Sequence, residues 1–174
     1  MICFKVVTES MREQGNLYDL IQAGNDQLHV NDATNAINNA ILIPNYYNFN
    51  NGTTKLVFEK HYAQIQADEM ASMGMLVGCA VLVALSEDRD NLNTWVYHAP
   101  GGITSDAGNF IQDSQGARYV YIVPHDGINR YINNIDRLVT PHGINPNSIT
   151  IICRDADDRK SDVYIRQNGD FGFI

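Results

Sequence analysis

Cysteine is scarce in this 174-residue chain, and the three present, Cys3, Cys79 and Cys153, stand far apart. An odd number at such spacing builds no disulfide framework, and the simplest reading is a reducing compartment. Closely spaced metal ligands are missing as well. His29, His61, His98, His125 and His142 are all distant from one another in sequence, so no metal site is expected. Charge is sparse, at 18% of residues, and basic charge sparser: 12 Lys and Arg against 20 Asp and Glu give a net charge of -8 with no basic run. Such a field repels phosphate backbones and anionic lipid, which argues against nucleic acid as a partner and leaves a protein surface acceptable. Long apolar runs are lacking too. The longest, Met73 to Leu85, is about half a spanning helix, so no membrane span is expected. The opening Met-Ile-Cys-Phe-Lys-Val-Val is interrupted by Lys5 and reads as a short strand, not a leader.

What is present suffices for one folding unit over residues 1–174: 44% of residues are hydrophobic, and frequent Asn makes much of the surface neutral and polar. Met1 to Val7 reads as a strand. Ser10 to Ile21 reads as a helix, with Leu17, Leu20 and Ile21 on one face. A second helix is expected from an Asp32 cap to Ile41, ended by Pro44, then an Asn-rich loop to Thr54. Thr54 to Lys60 is a strand, and His61 to Ala71 is compatible with strand or helix. Met75 to Leu85, a charged turn, and Leu92 to His98 make a hairpin pattern. Ser105 to Gln115 holds a short helix and Arg118 to Val123 a strand. Asp126 caps a helix with Ile128, Ile132, Ile135 and Val139 on one stripe. Ser148 to Cys153 and Asp162 to Gln167 are strands, and Asn168-Gly169 turns the chain into a last one. The expected fold is α+β, a mixed β-sandwich or layered sheet core flanked by helices.

Chemistry could sit on the hairpin. If it turns symmetrically about Asp88 and Arg89, Val83 faces Thr94, Val81 faces Val96 and Cys79 faces His98, with thiol and imidazole on one face. Directly opposed residues have Cβ atoms about 5 Å apart, close enough for a histidine to take a thiol proton, whereas a slip of one residue would send them to opposite faces. A free thiol, with a pKa of about 8.5, needs such a base near neutrality. Gly78 leaves room for substrate and lets backbone N–H groups turn toward an oxyanion. The bland reading of the same residues is a small buried hydrophobe and a satisfied polar residue. Cys3 and Cys153, in core strands without a matching histidine, read as inert.

Leu76-Val77-Gly78-Cys79, a following apolar strand, a turn, and a second strand ending in His98-Ala99-Pro100-Gly101-Gly102 resemble the superfamily that unites the chemoreceptor glutamine deamidases with the catalytic domains of cytotoxic necrotizing factor and related toxins. Downstream, Tyr119 to Val123, Ile128 to Leu138, Ile149 to Cys153 and Val163-Tyr164-Ile165 with Gly169 and Phe173 follow the chemoreceptor deamidases in order and spacing. The resemblance covers roughly Met73 to Ile174 as a Cys-His core and leaves 1–72 as a variable N-terminal part. It departs in two places. Toxin members often have Ser where Val77 stands, and the chemoreceptor enzymes carry a Thr that helps the dyad, where here the nearest hydroxyl is Ser72, seven positions before Cys79.

The resemblance implies a cysteine-dependent protein glutamine deamidase with Cys79 as nucleophile, His98 as base, and either Ser72 or a backbone carbonyl as third member. It needs no cofactor, and its partner is a protein bearing a reactive glutamine. Its compartment would be the bacterial cytoplasm, or a host cytosol for an effector. A transglutaminase or cysteine peptidase with the same dyad, or a non-catalytic binding module of the same fold, are the competing readings.

Overall fold

The computed structural model describes residues 3–6, 15–23, 26–29, 53–73, 78–102, 107–124, 141–154 and 163–173. These carry β1 (Cys3–Val6), α1 (Leu17–Ala23), β2 (Asp26–His29), β3 (Thr53–Leu56), β4 (Tyr62–Ile65), β5 (Glu69–Ser72), β6 (Ala80–Leu85), β7 (Thr94–Ala99), α2 (Gly108–Ser114), β8 (Arg118–Pro124), β9 (Ile149–Arg154), β10 (Val163–Arg166) and β11 (Phe171–Phe173). The strands form two sheets. One has the order β2-β1-β9-β8-β6-β7-β4 and the other β11-β10-β5-β3. In the large sheet β8–β9 and β1–β9 are parallel, in the small one β3–β5, and every other pairing is antiparallel. The fold is α+β with a sheet-rich core, as expected. No helix among the described residues is long and apolar enough to cross a membrane.

All six residues of β6 are buried, because both faces of the large sheet are covered. Val81, Val83 and Leu85 pack with Val96, with Leu17, Leu20 and Ile21 of α1, and with Ala71, Val163, Ile165 and Phe171 of the small sheet. Ala80, Leu82 and Ala84 face the other way, onto Tyr97, Tyr121 and Phe110 of α2. The period-two alternation of one apolar strand thus feeds two cores, and α1 and the small sheet, the large sheet, and α2 stack as layers. Both sheets draw strands from before and after residue 73: β1, β2 and β4 join the large sheet, and β3 and β5 the small one.

Several expectations shift in detail. The first helix starts at Leu17, where the Asn16 side chain accepts from the backbone N–H of Tyr18 at 2.9 Å and of Asp19 at 3.4 Å and so caps it. The strand expected through Lys60 stops at Leu56, and the ambiguous stretch after it divides into β4 in one sheet and β5 in the other. The edge strand β2 was not expected, since Asp-Gln-Leu-His carries no strand signal; it lies along β1. The second hairpin strand begins at Thr94, not Leu92. Asp88 Oδ1 accepts from the N–H groups of Asp90 and Asn91, and Asn93 Nδ2 donates to the Ser114 carbonyl, which holds the end of this wider turn out of the ladder. The expected helices from Asp32 and from Asp126 lie outside the described residues. Gly169 closes the last hairpin at φ 91, and an added Cβ there would come within 3.0 Å of the Tyr18 ring.

Candidate active site

The wider turn moves the hairpin register. Val83 pairs with Val96 and Val81 with His98, two residues further along β7 than a symmetric turn predicts, so Cys79 does not lie directly opposite His98. The correction preserves the faces. A shift of two residues keeps the side-chain alternation, and Cys79, one step before β6, lies diagonally across from His98 on the face between the sheets. Diagonal neighbours on such a ladder are about 7–8 Å apart at the backbone, within reach of converging side chains. Here they converge: a ring nitrogen of His98, Cys79 Sγ and a carboxylate oxygen of Glu59 all lie within 4.8 Å of one another.

His98 is held by its backbone and its ring. Its N–H donates to the His61 carbonyl at 3.1 Å, and its carbonyl accepts from Lys60 N–H at 2.9 Å. The residue is 4% exposed, and its ring Nδ1 lies 2.8 Å from the Val57 carbonyl oxygen. A carbonyl only accepts, so Nδ1 carries the hydrogen, and in the neutral ring Nε2 keeps a lone pair. That Nε2 is buried and has no hydrogen-bond partner.

Val57 is itself fixed, its N–H donating to the Ser72 carbonyl at 2.8 Å. The hydrogen-bond partner of the ring at Nδ1 is thus a backbone carbonyl. Ser72 supports that carbonyl through its own backbone. Ala71 and Met73 face the core between the sheets, so strand alternation turns the Ser72 side chain to the opposite face of the small sheet, where it is nonetheless buried, at 2% exposed.

Glu59 was not among the residues the sequence singled out. The chain leaves β3, crosses from the small sheet to the large one, and turns at Phe58 to His61, where His61 N–H donates to the Phe58 carbonyl at 3.0 Å and Lys60 takes φ 65. Glu59 sits in that crossing, and Cys79 Sγ donates to its Oε1 at 3.4 Å. Nothing in Phe-Glu-Lys-His marks a site; only the meeting of the two sheets makes it one. Cys79 is half-buried, packed against the core between the sheets, and in no disulfide. Cys3 and Cys153 lie on β1 and β9, strands on the far side of β8 from the hairpin. His61 is exposed, with Nδ1 2.9 Å from the Glu59 carbonyl. His142 lies beyond the other face of the large sheet, beside Gly108 of α2, and His125 lies outside the described residues.

The arrangement brings a half-buried thiol near an imidazole of fixed tautomer, the pair of groups that thiol chemistry needs. Comparison with protein-family models and with curated proteins returns no match for this chain.

Proposed function

We propose that the chain is a cysteine-dependent amidohydrolase that converts a glutamine of a target protein to glutamate. The observation that carries this reading is the orientation of His98: with Nδ1 bound to the Val57 carbonyl, its buried, unpartnered Nε2 is the atom left to act as base, in a ring one of whose nitrogens lies within 4.8 Å of Cys79 Sγ. The likeness of the Gly78-Cys79 and His98 segments to the glutamine deamidases supports the choice of substrate. The surface around the crossing supports a macromolecule: Leu56 and Phe58, on either side of Val57, are 58% and 68% exposed, and such apolar side chains beside a nucleophile suit a protein better than a small polar amide.

His98 Nε2 takes the Cys79 proton as sulfur attacks the carboxamide carbon. Backbone N–H groups around Cys79 would hold the tetrahedral oxygen. The intermediate collapses with cleavage of the C–N bond, and ammonia leaves with the proton from His98. Water, deprotonated by His98, then attacks the thioester, and the carboxylate departs as the C–S bond breaks and the thiol regains its proton. A reducing compartment keeps such a thiol competent, which suits the bacterial cytoplasm or, for an effector, a host cytosol.

The test is mass spectrometry of cell extracts incubated with the protein and with Cys79→Ser, reading glutamine-to-glutamate mass shifts and released ammonia. The expected result is a small set of glutamines converted by the first and none by the second. Equal conversion by both proteins ends the proposal. Incorporation of a labelled amine would move the reading to transglutamination, and backbone cleavage to a peptidase.

A further inference from the structure

Deamidation by the dyad needs a thiol and an imidazole, and it leaves Glu59 unused. Yet the Cys79 thiol donates to the Glu59 carboxylate, at 3.4 Å. A thiol has one hydrogen, and shared with Glu59 it leaves the His98 Nε2 lone pair unmet on a residue that is only 4% exposed. A cation at the centre of the three groups would satisfy the nitrogen, the sulfur and the carboxylate together.

The donor set selects the kind of cation. Sulfur, imidazole nitrogen and carboxylate oxygen are ligands of zinc and its neighbours, whereas magnesium and calcium take oxygen. As thiolate and carboxylate the set carries two negative charges, matching a divalent ion. Zinc bonds of about 2.3 Å to sulfur and about 2.1 Å to oxygen, at tetrahedral angles, put the two ligand atoms about 3.6 Å apart. The observed 3.4 Å is already close to that. The remaining separations, none above 4.8 Å, need only side-chain adjustment, and Glu59 is exposed and can supply it.

The surroundings agree. A metal-bound histidine commonly donates its other N–H to a carbonyl or carboxylate, which fixes the ring and its tautomer, and the Val57 carbonyl does this for His98. Glu59 is exposed and Cys79 half-buried, so an ion has a route to the site from their side. The sparse spacing of histidines in the sequence gave no hint of it, because each ligand comes from a different segment: the crossing after β3, the start of β6 and the end of β7.

We propose that Glu59, Cys79 and His98 form a binding site for a zinc-class divalent cation, and that the bound ion withdraws Cys79 from chemistry. Binding displaces the thiol proton to solvent as the sulfur–metal bond forms, with no change of oxidation state. The withdrawal rests on the dyad reading above; the binding does not.

The experiment uses the chelator-treated full chain titrated with cobalt(II), a spectroscopic stand-in for zinc. One equivalent should produce a thiolate-to-cobalt charge-transfer band and four-coordinate visible bands, which zinc then bleaches. Cys79→Ser should lose the charge-transfer band. His98→Ala and Glu59→Gln should each weaken binding by more than roughly tenfold, the lower end of what losing an outer-shell partner costs. Circular dichroism checks that each variant is folded. Absence of the band in folded wild-type protein overturns the site, and a Glu59→Gln titration superimposable on wild type overturns its three-ligand form. Zinc should also slow alkylation of Cys79 in step with occupancy, reversibly on chelation; undiminished alkylation at full occupancy overturns the withdrawal. A protein that converts no glutamine when metal-free, yet shows the band once cobalt is added, overturns the enzymatic reading while supporting the metal site.

Discussion

The Val57 carbonyl oxygen and His98 Nδ1, 2.8 Å apart, bind the small sheet to the large one at the place where the sulfur lies. Val57 follows β3 and His98 belongs to β7, so the tautomer of the candidate base is set by how the two sheets pack. A base oriented in this way has a measurable consequence. His98→Ala should slow alkylation of Cys79 near neutral pH and lower deamidation on the order of 100-fold, the lower range of what a general base supplies. Alkylation unchanged in a folded His98→Ala protein would show that ring and thiol do not communicate.

Ser72 provides the contrasting case. Its backbone carbonyl holds Val57 N–H, and strand alternation turns its side chain away from the core between the sheets. Ser72→Ala keeps that carbonyl, so alkylation should stay within about threefold of wild type, far short of the loss expected for a missing base. A deficit as large as that of His98→Ala would put the hydroxyl, not the backbone, in contact with the machinery.

Much of this arrangement was legible in the residues, for identifiable reasons. The apolar run through Val81, Val83 and Leu85 and the Thr-Trp-Val-Tyr-His strand announce a hairpin, and parity alone puts Cys79 and His98 on one face. Their register was not legible, because it depends on Asp88 and Asn93 side chains bonding to backbone groups within and beyond the turn. Glu59 and Val57 were not legible at all. They reach the site through a crossing between sheets whose ends, β3 and β4, are each only four residues long. The edge strand β2 escaped for a related reason: it is specified by a vacant edge of β1, not by its own composition.

Gly116 separates stability from activity. A Cβ at this position would lie 2.9 Å from Ala84 Cβ on β6 and 3.0 Å from Tyr119 Cζ, and both neighbours are buried in the core beneath α2. Gly116→Ala should cost about 1–3 kcal/mol through overpacking, read as a lower urea midpoint. Ala84 lies toward the far end of β6 from Cys79, so the alkylation rate of the folded variant should stay near wild type. An unchanged midpoint would mean that the loop after α2 yields freely.

Tyr119 gives the fold a dependence on alkaline pH. Burial raises its phenol above the ordinary value of 10.0, and hydrogen bonding to Ser114 and to the Gly116 backbone offsets part of the rise. The unfolded chain therefore ionises first. The stability linked to this group is complete below about pH 10 and is lost as pH rises through the folded-state value. Tyr62 is also raised, chiefly by its hydrogen bond to Asp113, but it is partly exposed and solvent screens the effect. Urea unfolding followed from neutral to alkaline pH should show a falling limb that Tyr119→Phe flattens more than Tyr62→Phe does. Equal limbs in the two variants would locate the alkaline sensitivity elsewhere than in the core beneath α2.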